Sequence, residues 1–409
     1  MSSYRIPVFF SWFSVLYLLM AGLAAAEASQ VEWEPDIYPD NQLFPSLLIA
    51  TATVELPENA FSTWEGNHLG DQQGCVGVNV RGLPVGAKVK VEVKENAFLK
   101  ASTFIGVVSE GTGNLLIHPK VRYLYDALAT VKQAVPLDIT IELTVDGVSL
   151  GEKTQTVALR PVNDCLFGVV DTDEDGEETS SDYNWLFAAY VNEDHPWVDE
   201  LLKAALALDV VDSFSGTQSG ESDEILRQVF AIWTVLKQRG IKYSDITTNS
   251  RSSDEVFSQS VRFLDESLIA TQANCVDGSV LLASIFRKIG LEPSLVLVPG
   301  HMYLMLPISE DLTIALETTV LGEKDVSDTE LSEFPENEIS VPKNLKDAWT
   351  NFRAAVVMGT EDLTENADRF HDADHADYDP EYQLIDIQQA RSFGILPIAR
   401  PSGPLPGAR

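Results

Sequence analysis

The chain has 409 residues, with 62 acidic side chains against 28 basic ones and a formal net charge of −34. A hydrophobic content of 45% is ordinary for a folded protein and excludes wholesale disorder, and the length predicts two domains, each able to bury its own core. So acidic a surface repels phosphate backbones and anionic membranes, which argues against nucleic acid as a partner.

Residues 6–26 are almost wholly apolar, follow a single charge at Arg5, and end in Ala24-Ala25-Ala26. This predicts a secretory signal peptide over 1–26. The alternative is an uncleaved anchor, because about 20 apolar residues can span a bilayer. No later segment is as long and as apolar, so no stable membrane insertion is expected after cleavage. The expected location is secreted, in a compartment such as the periplasm, where disulfides persist.

Residues 45–165 carry a period of two. Val89, Val91 and Val93 alternate with Lys88, Lys90 and Glu92, and Ile139, Ile141, Leu143 and Val145 alternate with Thr140, Glu142 and Thr144. Such strands put one face on a core and one in water. Asp146-Gly147 supplies a hairpin turn. The segment reads as a β-sandwich of immunoglobulin-like size. Three cysteines are too few for a disulfide scaffold. Cys75 and Cys165, near its two ends, could form a single bridge that leaves Cys275 free; two buried thiols are the alternative.

Residues 166–182 read as an acidic linker. Within it, Asp171, Asp173, Asp175, Gly176 and Asp182 match the spacing of a calcium loop, whose oxygens come from positions 1, 3, 5 and 12. Glu178 occupies a position where such loops carry an apolar residue, and a solvated linker is the competing reading. Beyond it the period becomes helical, with helices expected around Trp185–Val191 and over Pro196–Leu208, Glu221–Arg239 and Cys275–Ile289. Gly240 and Gly290 close the last two. Strands follow at Ser294–Val298, Met302–Leu306 and Thr313–Leu316. Helices followed by strands predict an α+β domain over 183–395. A polar stretch from about Thr360 to Pro380 holds His371 and His375, whose i, i+4 spacing would suit zinc on a helix. A Pro/Gly-rich tail covers 396–409. His68, His118 and His195 have no sequence neighbours that suggest a role.

Asn274 is a favoured N-cap residue, so Cys275 falls in the first turn of its helix. There the helix dipole and unpaired amides stabilise a thiolate and can receive an oxyanion. His301 stands at the mouth of one strand, and Glu317 follows another. A nucleophile, a base and an orienting acid in that order are what thiol acyl transfer requires. A thiolate–imidazolium pair is expected between Cys275 and His301. Gln272 is the nearest side-chain donor for an oxyanion, and Asp277 is expected to complement the helix start rather than to catalyse.

The runs NCVDGS, LLASIFRKIGLEPSLVLVPGHMYL and ALETT resemble the transglutaminase-like superfamily, especially a secreted bacterial branch with a Cys-Val-Asp-Gly opening and a Pro-Gly-His strand. The resemblance implies a papain-like core with Cys275 as nucleophile, His301 as base and Glu317 as orienting acid. Glu317 departs from the usual Asp, and Tyr303 from the usual Trp. The implied reaction is attack on amide carbonyls of a protein or peptide through a thioester, with hydrolysis favoured over transamidation and no cofactor required. A non-catalytic binding or envelope-assembly protein of the same fold is the alternative from another class.

Overall fold

The computed structural model describes residues 31–54, 67–109, 113–172, 178–244, 249–251, 253–323, 341–371 and 375–405. The segment read as a signal peptide lies outside them. The protein is mixed α+β with several sheets, and its chain divides into two compact units. One takes described residues up to 43, 67–124 and 135–159; the other takes 44–54, 125–134 and everything from 160 onward.

The first unit is built from β1 (Glu32–Ile37), β2 (Gln42–Leu43), β3 (His68–Gly70), β4 (Val76–Arg81), β5 (Lys88–Val93), β6 (Leu99–Lys100), β7 (Ser102–Val107), β8 (Asn114–His118), β9 (Arg122–Tyr123), β10 (Val135–Val145) and β11 (Val148–Leu159). They form one sheet in the order β1-β4-β8-β3, another in the order β2-β11-β10-β5-β7, and a β6-β9 ribbon. Period two explains why. Val89, Val91, Val93, Ile139, Ile141, Leu143 and Val145 are buried, while the residues between them carry a polar ladder in which Lys94 pairs with Glu92 and Glu142. Asp146 and Gly147, at φ 48° and 82°, make the β10–β11 turn, a geometry that matches strand twist.

Two stretches expected in the sandwich belong to the second unit instead. Residues 44–54 hold α1 (Pro45–Ala50), with Pro at its start and five of its six residues buried; burial on nearly every side overrides a strand reading. Residues 125–134 hold α2 (Tyr125–Leu128). Conversely, β1 and β2 extend the first unit ahead of residue 45.

The expected linker is also structured. β12 (Asp164–Thr172) and β13 (Glu178–Asp182) pair antiparallel and join β15 (Asn249–Arg251) and β16 (Val256–Ser260) in a sheet ordered β13-β12-β16-β15. Leu166 and Val169 anchor it in the core. Residues Asn184–Tyr190 form a 3-10 helix. They are followed by α3 (Pro196–Leu206), α4 (Ser222–Gln238), α5 (Leu264–Ala270), α6 (Cys275–Lys288), α7 (Lys346–Glu365) and α8 (Ile387–Ser392). β14 (Lys242–Tyr243) pairs in parallel with β17 (Gln272–Ala273). A last antiparallel sheet runs β20-β19-β18-β21, from β18 (Ser294–Val298), β19 (His301–Pro307), β20 (Thr313–Leu316) and β21 (Gln383–Asp386).

The tail is docked within its unit rather than loose. Ile398 is buried, Arg400 pairs with Asp265 and Glu266, and the Gly403 carbonyl accepts the Trp197 indole N–H at 2.7 Å. Among the described residues no helix is long and apolar enough to cross a membrane.

Candidate active site

α6 begins where its sequence says it must. The Asn274 side chain accepts the Asp277 N–H at 2.8 Å, and Asp277 accepts the Asn274 N–H at 3.1 Å, a reciprocal capping box. Asp277 is fully buried and also takes the backbone and guanidinium N–H groups of Arg262, each at 2.7 Å. Burial pushes its carboxyl up, against the pull of those donors. Its geometry is that of a structural anchor.

With Asp277 N–H satisfied, the amides of Cys275 and Val276 are the first-turn donors that lack an intrahelical acceptor. Behind them, Ser279 Oγ and Thr318 Oγ1 donate to the Cys275 carbonyl at 2.7 and 3.3 Å. Gly278 lets this turn approach: a Cβ there would lie 2.9 Å from Thr318 Oγ1.

His301 is delivered by a two-residue turn. Val298 pairs with His301 across Pro299-Gly300, and Gly300 has φ +71°; Pro then Gly suits a type II turn. The ring therefore sits at the hairpin mouth. Its Nε2 meets Glu317 Oε2 at 2.6 Å, which leaves Nδ1 for the Cys275 thiol. Glu317 is placed by two elements. It caps the 3-10 helix Thr318–Gly322, accepting the N–H and hydroxyl of Thr319 on Oε1 at 2.9 and 2.5 Å, and its own N–H donates to Ala355 of α7 at 2.9 Å. One carboxylate oxygen is thus spent on the cap and the other on the imidazole, an arrangement that uses the longer Glu side chain in full.

The electrostatics follow. Burial lowers the His301 pKa, but hydrogen bonds to Cys275 and Glu317, with their charges, outweigh it and raise it to about 10. Burial likewise opposes ionisation of Glu317, yet bonds from His301 and Thr319 hold its carboxyl below the ordinary range. Tyr303, two residues along β19, is buried with its ring 5.9 Å from that of His301.

Cys275 and His301 line a cleft of about 610 Å³ with Asn274, Val276 and the Val298–Met302 turn; its other walls include Phe167, Tyr243 and Phe257. Gln272 lies outside this lining. Its backbone is held in the parallel bridge to Lys242, while Cys275 and Val276 themselves are among the lining residues. The aromatic walls come from β12, β14 and β16, which carry no local motif. The Thr319 contact has a signal, since a carboxylate two residues before a Thr at a strand exit fits a capped turn.

The other sequence candidates are distributed as follows. Cys75 and Cys165 are free buried thiols, one in each unit, the second of the two alternatives the sequence left open. Sγ of Cys75 points to the Gln73 carbonyl and that of Cys165 to Leu166; burial first, then nearby carboxylates, pushes the Cys75 thiol up to about 12 and that of Cys165 well above its ordinary value. Asp171 faces Thr179 while Asp182 faces Gly168, so the first and last ligands of the expected calcium loop stand three ladder positions, or about 10 Å, apart. Asp182 is instead engaged by Asn184 N–H, the Tyr378 hydroxyl and the Gln383 amide; Asp173 and Asp175 lie outside the described residues. His371 and His375 stack at 4.2 Å with Asp377 beside them, but His375 opens a turn rather than a helix, and its Nδ1 accepts the Asp377 N–H at 3.2 Å. His195 caps α3 by accepting the Trp197 N–H.

No protein-family model and no curated protein matches the chain.

Proposed function

We propose that this protein is a thiol acyl-transfer enzyme of the transglutaminase-like superfamily, acting on amide carbonyls of a protein or peptide through Cys275, His301 and Glu317. The observation that carries the reading is the 2.6 Å His301–Glu317 bond in the cleft that Cys275 shares with that imidazole. In this reading the second unit is the papain-like core and the paired sheets of the first unit form the immunoglobulin-like sandwich.

The Cys275 thiolate attacks the carbonyl carbon, and the Cys275 and Val276 amides receive the oxyanion. His301, charged while Glu317 holds it, gives its Nδ1 proton to the leaving nitrogen as the C–N bond breaks and a thioester forms. Deprotonated His301 then takes a proton from water, whose oxygen attacks the thioester, and the acid leaves as the thiolate is restored. An amine in place of water gives transamidation. No metal or organic cofactor enters either step. Hydrolysis is favoured on the resemblance to secreted bacterial members.

The test is the rate of Cys275 alkylation against pH in the folded, unreduced protein, with His301→Ala alongside. The expected result is alkylation already substantial at pH 6, with a midpoint that rises in the variant. Alkylation that is negligible at pH 6 and rises only above pH 8 in both proteins would sink the enzyme and leave a binding protein of the same fold.

A further inference from the structure

In the first unit, β1, β4, β8 and β3 lie side by side, and their registers line up a polar row on one face. Asp36 pairs with Gly77. Val78 pairs with Ile117, so Gly77 stands beside His118, and His118 pairs with Gly70 of β3. His68 is two residues from Gly70 and shares that face. Because Gly77 has no side chain, the His118 imidazole lies flat across β4: a Cβ at Gly77 would come within 2.3 Å of its Cδ2, and one at Gly74 within 2.6 Å of its Cβ. The ring thereby reaches Asp36 two strands away, Nε2 to Oδ2 at 2.8 Å. Its other nitrogen, Nδ1, meets His68 Nε2 at 2.7 Å.

Asp36 as a carboxylate only accepts, so it takes the Nε2 proton of His118 and leaves Nδ1 with a lone pair aimed at His68. A carboxylate that fixes the tautomer of an imidazole whose second nitrogen faces another donor is the outer arrangement of histidine metal sites. We propose that His68 and His118 bind a divalent late transition-metal ion of the zinc class, His118 through Nδ1 and His68 through Nε2, with Asp36 orienting the His118 ring. In the metal-free chain the two nitrogens share a proton where the ion would stand.

Zinc–nitrogen bonds of about 2.0–2.1 Å in a tetrahedron put two such nitrogens about 3.3 Å apart, so the rings must separate by several tenths of an ångström. The division of labour suits this. His118 is buried and walled by glycines, whereas His68 is half-buried on β3, an edge strand of three residues. Upon binding, the His68 proton moves to Nδ1 and no net charge is lost from the rings. Water would fill the remaining positions of the tetrahedron.

The test is calorimetric titration of the full chain with zinc chloride, in a background of Cys275→Ala, His371→Ala and His375→Ala that removes the cleft thiol and the stacked His371–His375 pair. One saturable site is expected, weakened at least tenfold by His68→Gln and about 10–100-fold by Asp36→Asn. Zinc should also shift the ring nitrogen resonances of His68 Nε2 and His118 Nδ1 in the background chain, a readout independent of whether those two further variants fold. The absence of saturable binding, unchanged affinity in folded His68→Gln, or ring resonances that zinc leaves unmoved would each overturn the site.

Discussion

Glu317 is the residue on which the proposed chemistry turns, because it answers for the charge and the orientation of His301 together. Replacing it by Gln keeps the shape and removes the charge. The His301 titration midpoint, near 10 in the intact site, is expected to fall by more than one unit in Glu317→Gln, read from the ring resonances, while any amidase activity falls about 100-fold or more. A midpoint that stays put would mean that Glu317 only caps its helix. The same balance sets a pH dependence of stability. The folded value of His301 lies above its unfolded value of about 6.5, so its stabilisation is full below pH 6.5 and is lost as pH rises through about 10. Glu317, held low, works in the opposite sense and loses its share only as pH falls into the acid range. The stability difference between the intact protein and His301→Ala, from urea unfolding, is therefore expected to shrink between pH 6.5 and 10. A difference that is flat or grows across that window contradicts the ion pair.

Among the elements, α7 is the one that holds Glu317 from behind. Gly359 makes the close approach possible: a Cβ there would lie 2.8 Å from Ala315 C and from Glu317 N. These are backbone atoms, which cannot swing aside. Gly359→Ala is expected to cost about 1–3 kcal/mol in urea unfolding, as overpacking does, and to slow Cys275 alkylation by displacing the acid. An unchanged alkylation profile would show that β20 holds Glu317 without help. The sequence announces α6 fully, because Asn274, Asp277 and Gly290 mark its ends and its apolar residues repeat at helical spacing. The strands Ser294–Val298 and Thr313–Leu316 are equally legible, being short apolar runs between turn residues. α7 is not, since Lys346–Glu365 mixes buried Phe352, Ala355 and Val356 with charges, and its last turn and a half falls in a stretch whose composition reads as polar loop. β12 and β13 are hidden for the same reason: acidic composition masks Leu166 and Val169, and partners from β16 nearly ninety residues away supply the pairing.

At the scale of the whole chain, sequence order and spatial order part company. Local patterns place Cys275, His301 and Glu317 on the right elements, but no local pattern says that residues 44–54 and 125–134 leave the sheets around them and pack with the second unit. Such long-range choices are made by total burial, as in α1, not by periodicity. The tail carries the same lesson and a test. Its Pro and Gly content reads as a loose end, yet Ile398 is 1% exposed and its N–H donates to Ala189 at 2.8 Å. Arg400 lies over the Phe263 ring at 4.2 Å while pairing with two acids of α5. Ending the chain after Pro397 strips an isoleucine from the core, leaves buried Asp265 without its guanidinium and removes the acceptor of the Trp197 indole. Burying one isoleucine is worth about 1.5–3 kcal/mol, and orphaning a buried acid adds to the loss. The truncated chain is expected to lose about 3–5 kcal/mol in urea unfolding followed by tryptophan fluorescence. A tail that merely rests on the surface would change stability by less than about 0.5 kcal/mol, and that outcome would return residues 398–405 to the loose end their composition suggests.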